Sequence, residues 1–280
     1  MPKHYLGILL FIASMLIFST AYALFKACNP FLSNSLSIFF VSVCACLLLL
    51  PSVIKKRREV FTEKNFFLII VRTVLGLLSL YFITFALKTD SLSEVILLNN
   101  TAPLFVPFIV WIWHRAIISH RVWVGLGLGF IGIVLILRPN FHDINIGLIL
   151  ALLSGLFSAG LLVVTRLIAH EPFLKLLFYY FVLISLFLSP FLFLKWDLPP
   201  QWIWLFLFLA SVALLIAQLT FAASMRHALP HEVAPFIYTS VVFSGLIDWI
   251  FWDTVPNLLS LIGMVIVCIA GIITLIKKRV

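Results

Sequence analysis

Three polar side chains near the end of a long apolar run have the clearest potential for chemistry. Ser240, Ser244 and Asp248 are spaced i, i+4 and i+8, which places them on one face of a helix. A carboxylate inside an apolar span is costly to bury as an anion, so it favours proton exchange or cation binding. We therefore predict Asp248 as a coupling acid, with Ser240 and Ser244 beside a solute. The alternative is that Asp248 is hydrated near the helix end or paired with a nearby base.

A second set of polar side chains lies beside prolines in two apolar runs. Pro103 and Pro107 in one run and Pro235 in the other each remove a backbone donor and can bend a helix. Amides and hydroxyls beside such a bend suit a solute site, and interhelical hydrogen bonding is the alternative. The candidate residues are Asn99, Asn100, Thr101, Tyr238 and Thr239.

Three further side chains could contact a bound solute. Gln218 and Tyr81 can donate hydrogen bonds, although a packing contact is the simpler explanation for each. The planar guanidinium of Arg72 can bind a carboxylate or phosphate. Because Arg72 lies about 9 Å into its span, snorkelling to the cytoplasmic surface or pairing is the preferred interpretation.

The sequence lacks the motifs of nucleotide binding, metal-dependent catalysis and nucleophilic hydrolysis. It contains no GxxxxGK[ST], no H-E-x-x-H, no Asp-rich motif and no G-x-S-x-G. His227 and His231 are four residues apart, but Pro230 interrupts the segment and no third ligand adjoins them. We expect no cofactor, no metal and no enzyme activity.

The composition predicts an all-α, multi-pass membrane protein. Hydrophobic residues make up 64% of the 280 residues and charged residues 10%, which excludes an ordinary soluble domain. Cutting the apolar runs at charge, Pro and Gly clusters gives ten transmembrane helices and no room for a soluble domain. The predicted spans are residues 7–26, 35–53, 66–87, 92–113, 122–137, 147–168, 173–194, 202–224, 232–252 and 258–276.

The formal charge of +9 indicates topology and not nucleic-acid binding. If both termini are cytoplasmic, most of the 19 Lys and Arg residues fall in cytoplasmic segments, as the positive-inside rule requires. We therefore predict cytoplasmic termini and a location in the plasma membrane, which is the bacterial inner membrane.

Residues in the first half of the chain recur in the second half. Three pairs are 140 residues apart and three are 138 residues apart. Residues 1–138 and 139–280 are therefore predicted to be two copies of one five-helix unit, and the odd helix count inverts the second copy. The matched pairs are Gly7 with Gly147, Ser14 with Ser154, Lys26 with Arg166, Glu94 with Glu232, Val95 with Val233, and Trp111 with Trp249.

An ordered series of residues runs from the fifth predicted span into the sixth, with further matches in the fourth span and the tail. It comprises Trp123, Gly125, Gly132, Leu137, Arg138, Pro139, Gly147, Ala151, Leu152, Thr165 and Arg166, then residues 101–105, Tyr238, Thr239, Pro256, Gly263 and Gly271. This series resembles the EamA-type branch of the drug/metabolite transporter (DMT) superfamily over essentially the whole chain. The resemblance implies two EamA-like repeats around a central cavity lined largely by the first, third, fourth, sixth, eighth and ninth spans.

The resemblance and the repeat together predict a secondary active transporter. It would move a small organic metabolite, such as an amino acid, an S-adenosylmethionine-like compound or another amphipathic solute, by alternating access driven by a gradient or by exchange. The alternative is a membrane-embedded lipid-modifying enzyme. The expected partners are a small-molecule substrate and the lipid bilayer, without nucleic acid. Gly125, Gly129 and Gly132 share a helix face that permits close packing and is compatible with a homodimer.

Overall fold

A computed structural model of the protein describes residues 3–60, 65–114, 124, 127–132, 135, 146–168, 170–193, 198–227, 234–254 and 257–275. These residues form helices and connecting turns, with no β-strand among them. The helices are α1 (Lys3–Cys28), α2 (Asn34–Lys55), α3 (Arg57–Val60), α4 (Phe66–Ala86), α5 (Leu92–Asn99), α6 (Ala102–His114), α7 (Ile146–Leu167), α8 (Phe173–Leu188), α9 (Gln201–His227), α10 (Thr239–Trp252) and α11 (Leu258–Leu275), with 3₁₀ turns at Ser189–Phe193 and Ala234–Tyr238.

Six of the described helices are long and apolar enough to cross a membrane: α1, α2, α4, α7, α9, and α8 extended by its 3₁₀ turn. Their outer surfaces expose large hydrophobic side chains such as Phe67 and Leu186, as expected where lipid replaces water. The chain is therefore a multi-pass membrane protein, which in bacteria places it in the inner membrane.

Three predicted spans differ from continuous α-helices in their described residues. The span at 173–194 ends with the 3₁₀ turn Ser189–Phe193. The span at 92–113 is two helices, α5 and α6, and the span at 232–252 begins with a 3₁₀ turn before α10. The span at 122–137 lies largely outside the described residues, although residues 127–132 are helical. Glu232, His231 and several residues of the resemblance series also lie outside the described part.

The helices pack mainly across the two halves of the chain. The most extensive contacts join α1 to α9, α4 to α7, and α2 to α8, while α10 contacts both α1 and α5. The predicted repeat matches α1 with α7, α2 with α8, α4 with α9, and α5–α6 with the 3₁₀ turn and α10. Under this matching, the contact pattern is preserved when the halves are exchanged. The hydrophobic core therefore lies at the junction of the two halves, centred on buried residues such as Phe25, Ile83 and Ile184.

The predicted glycine face consists of Gly125, Gly129 and Gly132, of which the structure describes the last two. Both pack against other helices of the same chain. An ideal Cβ on Gly129 would collide with the Leu104 side chain, and one on Gly132 would lie 2.9 Å from the Gly263 carbonyl oxygen. Close approach to α6 and α11 therefore occupies these two glycines, as their expected role in helix packing requires. The homodimer stays a prediction.

Candidate substrate site

The break between α5 and α6 is the first element of the site. Pro103 has no N–H to donate to the Asn99 carbonyl one turn earlier, so the helical hydrogen-bond ladder is interrupted there. The Thr101 hydroxyl donates to the Leu98 carbonyl at 2.6 Å. On α7, Gly155 faces this break so closely that an ideal Cβ would lie 2.6 Å from the Leu98 carbonyl oxygen. The break is thus tightly packed and held by its own side chains.

A second break precedes α10 at the corresponding position of the other half. The 3₁₀ turn Ala234–Tyr238 leads into the helix, and the Ser240 hydroxyl donates to the Ile237 carbonyl at 2.6 Å. The Asn100 amide donates to Ser240 Oγ at 2.6 Å, and the Ser19 hydroxyl donates to the Ser240 carbonyl at 3.0 Å. The two breaks are therefore joined directly by a hydrogen bond between side chains.

Asn99 is the centre of a polar cluster on the other side of the break. Its amide donates to Ser154 Oγ at 3.0 Å, to Ser158 Oγ at 3.2 Å and to Ser79 Oγ at 3.5 Å. Ser79 and Ser158 share a further hydrogen bond of 2.7 Å. Sequence reasoning did not assign these serines to the site, although the i, i+4 spacing of Ser154 and Ser158 was the available signal.

Two adjoining cavities, of about 190 Å³ and about 180 Å³, lie between the halves. They share four lining residues, Phe18, Tyr22, Ser158 and Leu161. The larger is also lined by Asn99, Asn100, Ser19, Ser240 and Phe221, and the smaller by Ser79, Gly76, Tyr180 and Gln218. The linings come from α1, α4, α5, α7, α9 and α10, as the resemblance implied, and also from α8.

The predicted site residues divide into two groups. Asn99, Asn100 and Ser240 line the larger cavity and Gln218 lines the smaller. The others do not line these two cavities. Thr239 and Ser244 donate to carbonyls of their own chain segment at 2.7 and 2.9 Å, Thr101 caps the break, and Tyr238 is buried in the core. The carbonyl of Tyr81 accepts from the Asn34 amide at 2.9 Å.

Asp248 is fully buried and paired. Its Oδ1 lies 2.7 Å from the Lys26 ammonium of α1, and its Oδ2 accepts from the backbone N–H of Ser93 at 2.8 Å. Because Ser93 is in the first turn of α5, the carboxylate also lies at the positive end of that helix dipole. The Lys26 ammonium lies over the Trp252 ring, with its Nζ 4.7 Å from the ring centroid. Asp248 thus joins α1, α5 and α10, and Lys26 is the partner that sequence reasoning missed.

Arg72 points inward and does not snorkel. The residue is 7% exposed, its Nε donates to Thr165 Oγ1 at 2.9 Å, and its guanidinium lies 5.6 Å from the centroid of the Tyr180 ring. Of the two preferred interpretations, snorkelling is wrong, because α7 and α8 cover the α4 face that carries this side chain. Pairing is observed, with the Thr165 hydroxyl. Arg72 therefore contacts Tyr180, which lines the smaller cavity.

A buried ion-pair cluster lies between α7 and α8. Glu171 accepts from Lys175 and from Asn65, both at 2.9 Å. Burial acts to raise the pKa of Glu171, but the hydrogen bonds from Lys175 and Asn65 and the nearby charges outweigh it, so the pKa lies below its usual value. This cluster fixes the α7–α8 turn to the start of α4.

Metal-binding groups are not assembled here: among the residues that the structure describes, no three His, Cys, Asp or Glu side chains lie together where they could hold a metal ion. The cavity linings offer amides, hydroxyls and aromatic rings. Such an arrangement can bind a small amphipathic molecule through hydrogen bonds and ring contacts.

Comparison with known proteins gives named relatives over nearly the whole chain. The pseudopaline exporter CntI of Pseudomonas aeruginosa (strain UCBPP-PA14) is 25% identical over 95% of this chain and 94% of its own. An S-adenosylmethionine uptake transporter of Rickettsia prowazekii is 24% identical over 99% and 95%. A riboflavin transporter of Vibrio cholerae is 30% identical over 58% of this chain and 55% of its own. These names support a membrane transporter of small metabolites.

The fold is also similar to that of a solved protein. One crystal structure superposes with a TM-score of 0.67 over 98% of this chain and 99% of the other, at 17% identity, which shows a shared fold. The EamA-like transporter family matches residues 5–138 and 145–276, which is almost the entire sequence. The chain therefore belongs to the EamA-like transporter family of the DMT superfamily.

Proposed function

We propose that this protein is a secondary carrier that moves a small organic metabolite across the membrane by alternating access. The observation that carries the proposal is the pair of helix breaks, which lie at matched positions of the two halves, bond to each other through Asn100 and Ser240, and line one cavity. Interrupted helices beside a cavity between halves are the usual construction of a solute site in secondary transporters.

The packing pattern supports two five-helix copies of opposite orientation. Contacts of α1 with α9 correspond to contacts of α7 with α4, and α2 packs on its own counterpart α8. Each half therefore contributes equivalent surfaces to the cavity, and rocking one half against the other would open it to either side. Ten spans, cytoplasmic termini and a boundary near residue 138 complete this arrangement.

The cavity favours an amphipathic or zwitterionic solute over a polyanion. Its rings, such as Tyr22, Phe18 and Phe221, offer flat apolar contacts, and the Asn99 and Asn100 amides offer hydrogen bonds. The described residues that line the two cavities include no Lys, Arg, Asp or Glu. The named relatives carry pseudopaline, riboflavin and S-adenosylmethionine, so amino acids and S-adenosylmethionine-like compounds are the first solutes to test.

Asp248 is the proposed coupling acid. It would accept a proton only when the ion pair with Lys26 opens, because protonation inside the closed pair would leave the Lys26 charge uncompensated at the junction of α1, α5 and α10. A carrier that works by exchange alone would need no such step.

Counterflow in proteoliposomes tests the carrier directly. Vesicles loaded with unlabelled amino acids, S-adenosylmethionine, riboflavin or nucleosides should accumulate the matching labelled solute transiently and with saturation. We expect Asn100→Ala to reduce this exchange about tenfold, since one cavity hydrogen bond is lost.

Asn257→Ala is the matched control, because this amide precedes α11 and lines neither cavity. It should exchange like the wild type. Absence of exchange of every solute by folded, inserted wild-type protein would contradict the proposal.

A further inference from the structure

Arg72 is a buried cation with an unused donor. The residue is only 7% exposed, and among the described residues its Nη1 has no hydrogen-bond partner. An arginine stays charged at any physiological pH, and a buried donor left without a partner is costly. An anion at this position would remove the cost.

The other buried cations of the described chain are satisfied. Lys26 lies 2.7 Å from the Asp248 carboxylate, and Lys175 lies 2.9 Å from the Glu171 carboxylate. Arg72 contacts no carboxylate among the described residues, and has only the Thr165 hydroxyl and the Tyr180 ring. Within the described part of the chain, the lack of a counter-ion therefore distinguishes this arginine from the two structural ion pairs.

The guanidinium lies behind the wall of the smaller cavity, against the Tyr180 ring that lines it. Gly76 follows Arg72 by one turn of α4 and lines the smaller cavity, as does Tyr180, whose hydroxyl donates to the Gly76 carbonyl at 3.5 Å. Thr165 lies one turn after Leu161, which lines both cavities, and its hydroxyl donates to the Leu161 carbonyl at 2.6 Å. Arg72 and Thr165 thus form the next layer beyond the cavity wall.

We propose that Arg72 is the carboxylate subsite of this carrier and that the transported solute carries a carboxylate. The inference rests on the proposed carrier function. A single guanidinium with an unused Nη1 suits one carboxylate, whereas a phosphate dianion would need a second base. No Lys or Arg is among the described residues that line the two cavities. The amides and rings around Asn99 and Tyr22 then receive the remainder of the solute.

The test compares solutes that differ only in the carboxylate. The probes for counterflow are S-adenosylmethionine with its decarboxylated form, methionine with methioninamide, and riboflavin, which has no carboxylate. We expect the carboxylate member of a pair to exchange with a half-saturation concentration about tenfold lower or more than its partner. Arg72→Gln should reduce that preference to less than about threefold, and Arg72→Lys should retain part of it.

Arg166→Gln is the matched control, because it is an exposed arginine next to Thr165 and should keep the wild-type preference. Equal exchange of both members by the wild type, or an unchanged preference in Arg72→Gln, overturns the inference but leaves the carrier standing. If Arg72→Gln does not insert, the wild-type comparison and Arg72→Lys decide. If the wild type exchanges no solute at all, the proposed carrier function is contradicted, and the carboxylate subsite with it.

Discussion

At the scale of single residues, the ion pair of Asp248 and Lys26 joins structure to energy coupling. Both charges are largely removed from solvent, at 0% and 11% side-chain exposure, so each depends on the other. Removing one partner of a buried pair leaves an uncompensated charge, which usually costs about 3–5 kcal/mol. A functional test at this site therefore has to separate lost stability from lost coupling.

Asp248→Asn should abolish pH-driven accumulation while sparing solute exchange. The amide can still accept from the Ser93 N–H but cannot exchange a proton at physiological pH, and it leaves Lys26 unpaired. The melting temperature should fall, and adding Lys26→Met should recover it because the unpaired charge is removed. Accumulation driven by a pH gradient in either variant would refute Asp248 as the coupling acid.

Sequence reasoning predicted the polar residues better than their partners. The i, i+4, i+8 pattern correctly placed Ser240, Ser244 and Asp248 on one buried face of α10. It could not identify Lys26 as the partner of Asp248, because the two residues are 222 positions apart and only the tertiary packing joins them. The sequence also did not predict that Arg72 is buried against Thr165, because these two residues are 93 positions apart.

At the scale of helices, Pro103 and Pro235 correctly predicted where two spans are interrupted, whereas Pro107 lies inside the continuous helix α6. The i to i+4 ladder fails at Pro103, and a 3₁₀ turn contains Pro235. What the prolines could not predict is that Gly155 would face the first break, since this depends on how α7 lies against α5.

Gly155→Ala should destabilise the protein by about 1–3 kcal/mol and reduce exchange. The new Cβ would lie 2.6 Å from the Leu98 carbonyl oxygen and 3.1 Å from that of Asn99, so backbone would have to move. Gly160→Ala on the same helix is the control, because its Cβ would meet only Leu75 side-chain atoms at 3.4 Å or more. Thermal unfolding in detergent compares the two variants, and equal melting temperatures would disprove the close contact.

The turn between α7 and α8 should lose stability in acid. Since the pKa of Glu171 is lowered in the folded protein, its ion pairs stabilise the fold above the ordinary value of 4.5 and are lost as the pH falls below it. Glu171→Gln should therefore lower the melting temperature at pH 7 and flatten its dependence on pH below about 5.

Glu59→Gln is the control for this effect, because its side chain is 57% exposed and its ion pair with Lys56 is 3.7 Å long. Such a surface pair contributes about 0–1 kcal/mol. If both variants melted alike across this pH range, the Glu171 cluster would have no special role.

At the scale of the whole molecule, the helix contacts between the two halves agree with the proposed repeat. The described cavities lie on that junction and draw on both halves. In the proposed mechanism, this one site opens to each side of the membrane in turn. A rigid pocket that is open to one side cannot do so.

The most direct measurement is the accessibility of a single cysteine in the cavity. Ser158→Cys, in a chain whose four native cysteines are replaced by alanine, places a thiol on the lining shared by both cavities. Ser211→Cys is the control, because Ser211 is fully buried and lines neither cavity. A membrane-impermeant thiol reagent is applied to intact cells and to inverted vesicles. We predict that the thiol at 158 is labelled from both sides and the control from neither, whereas labelling at 158 from one side alone, or from no side, would contradict alternating access.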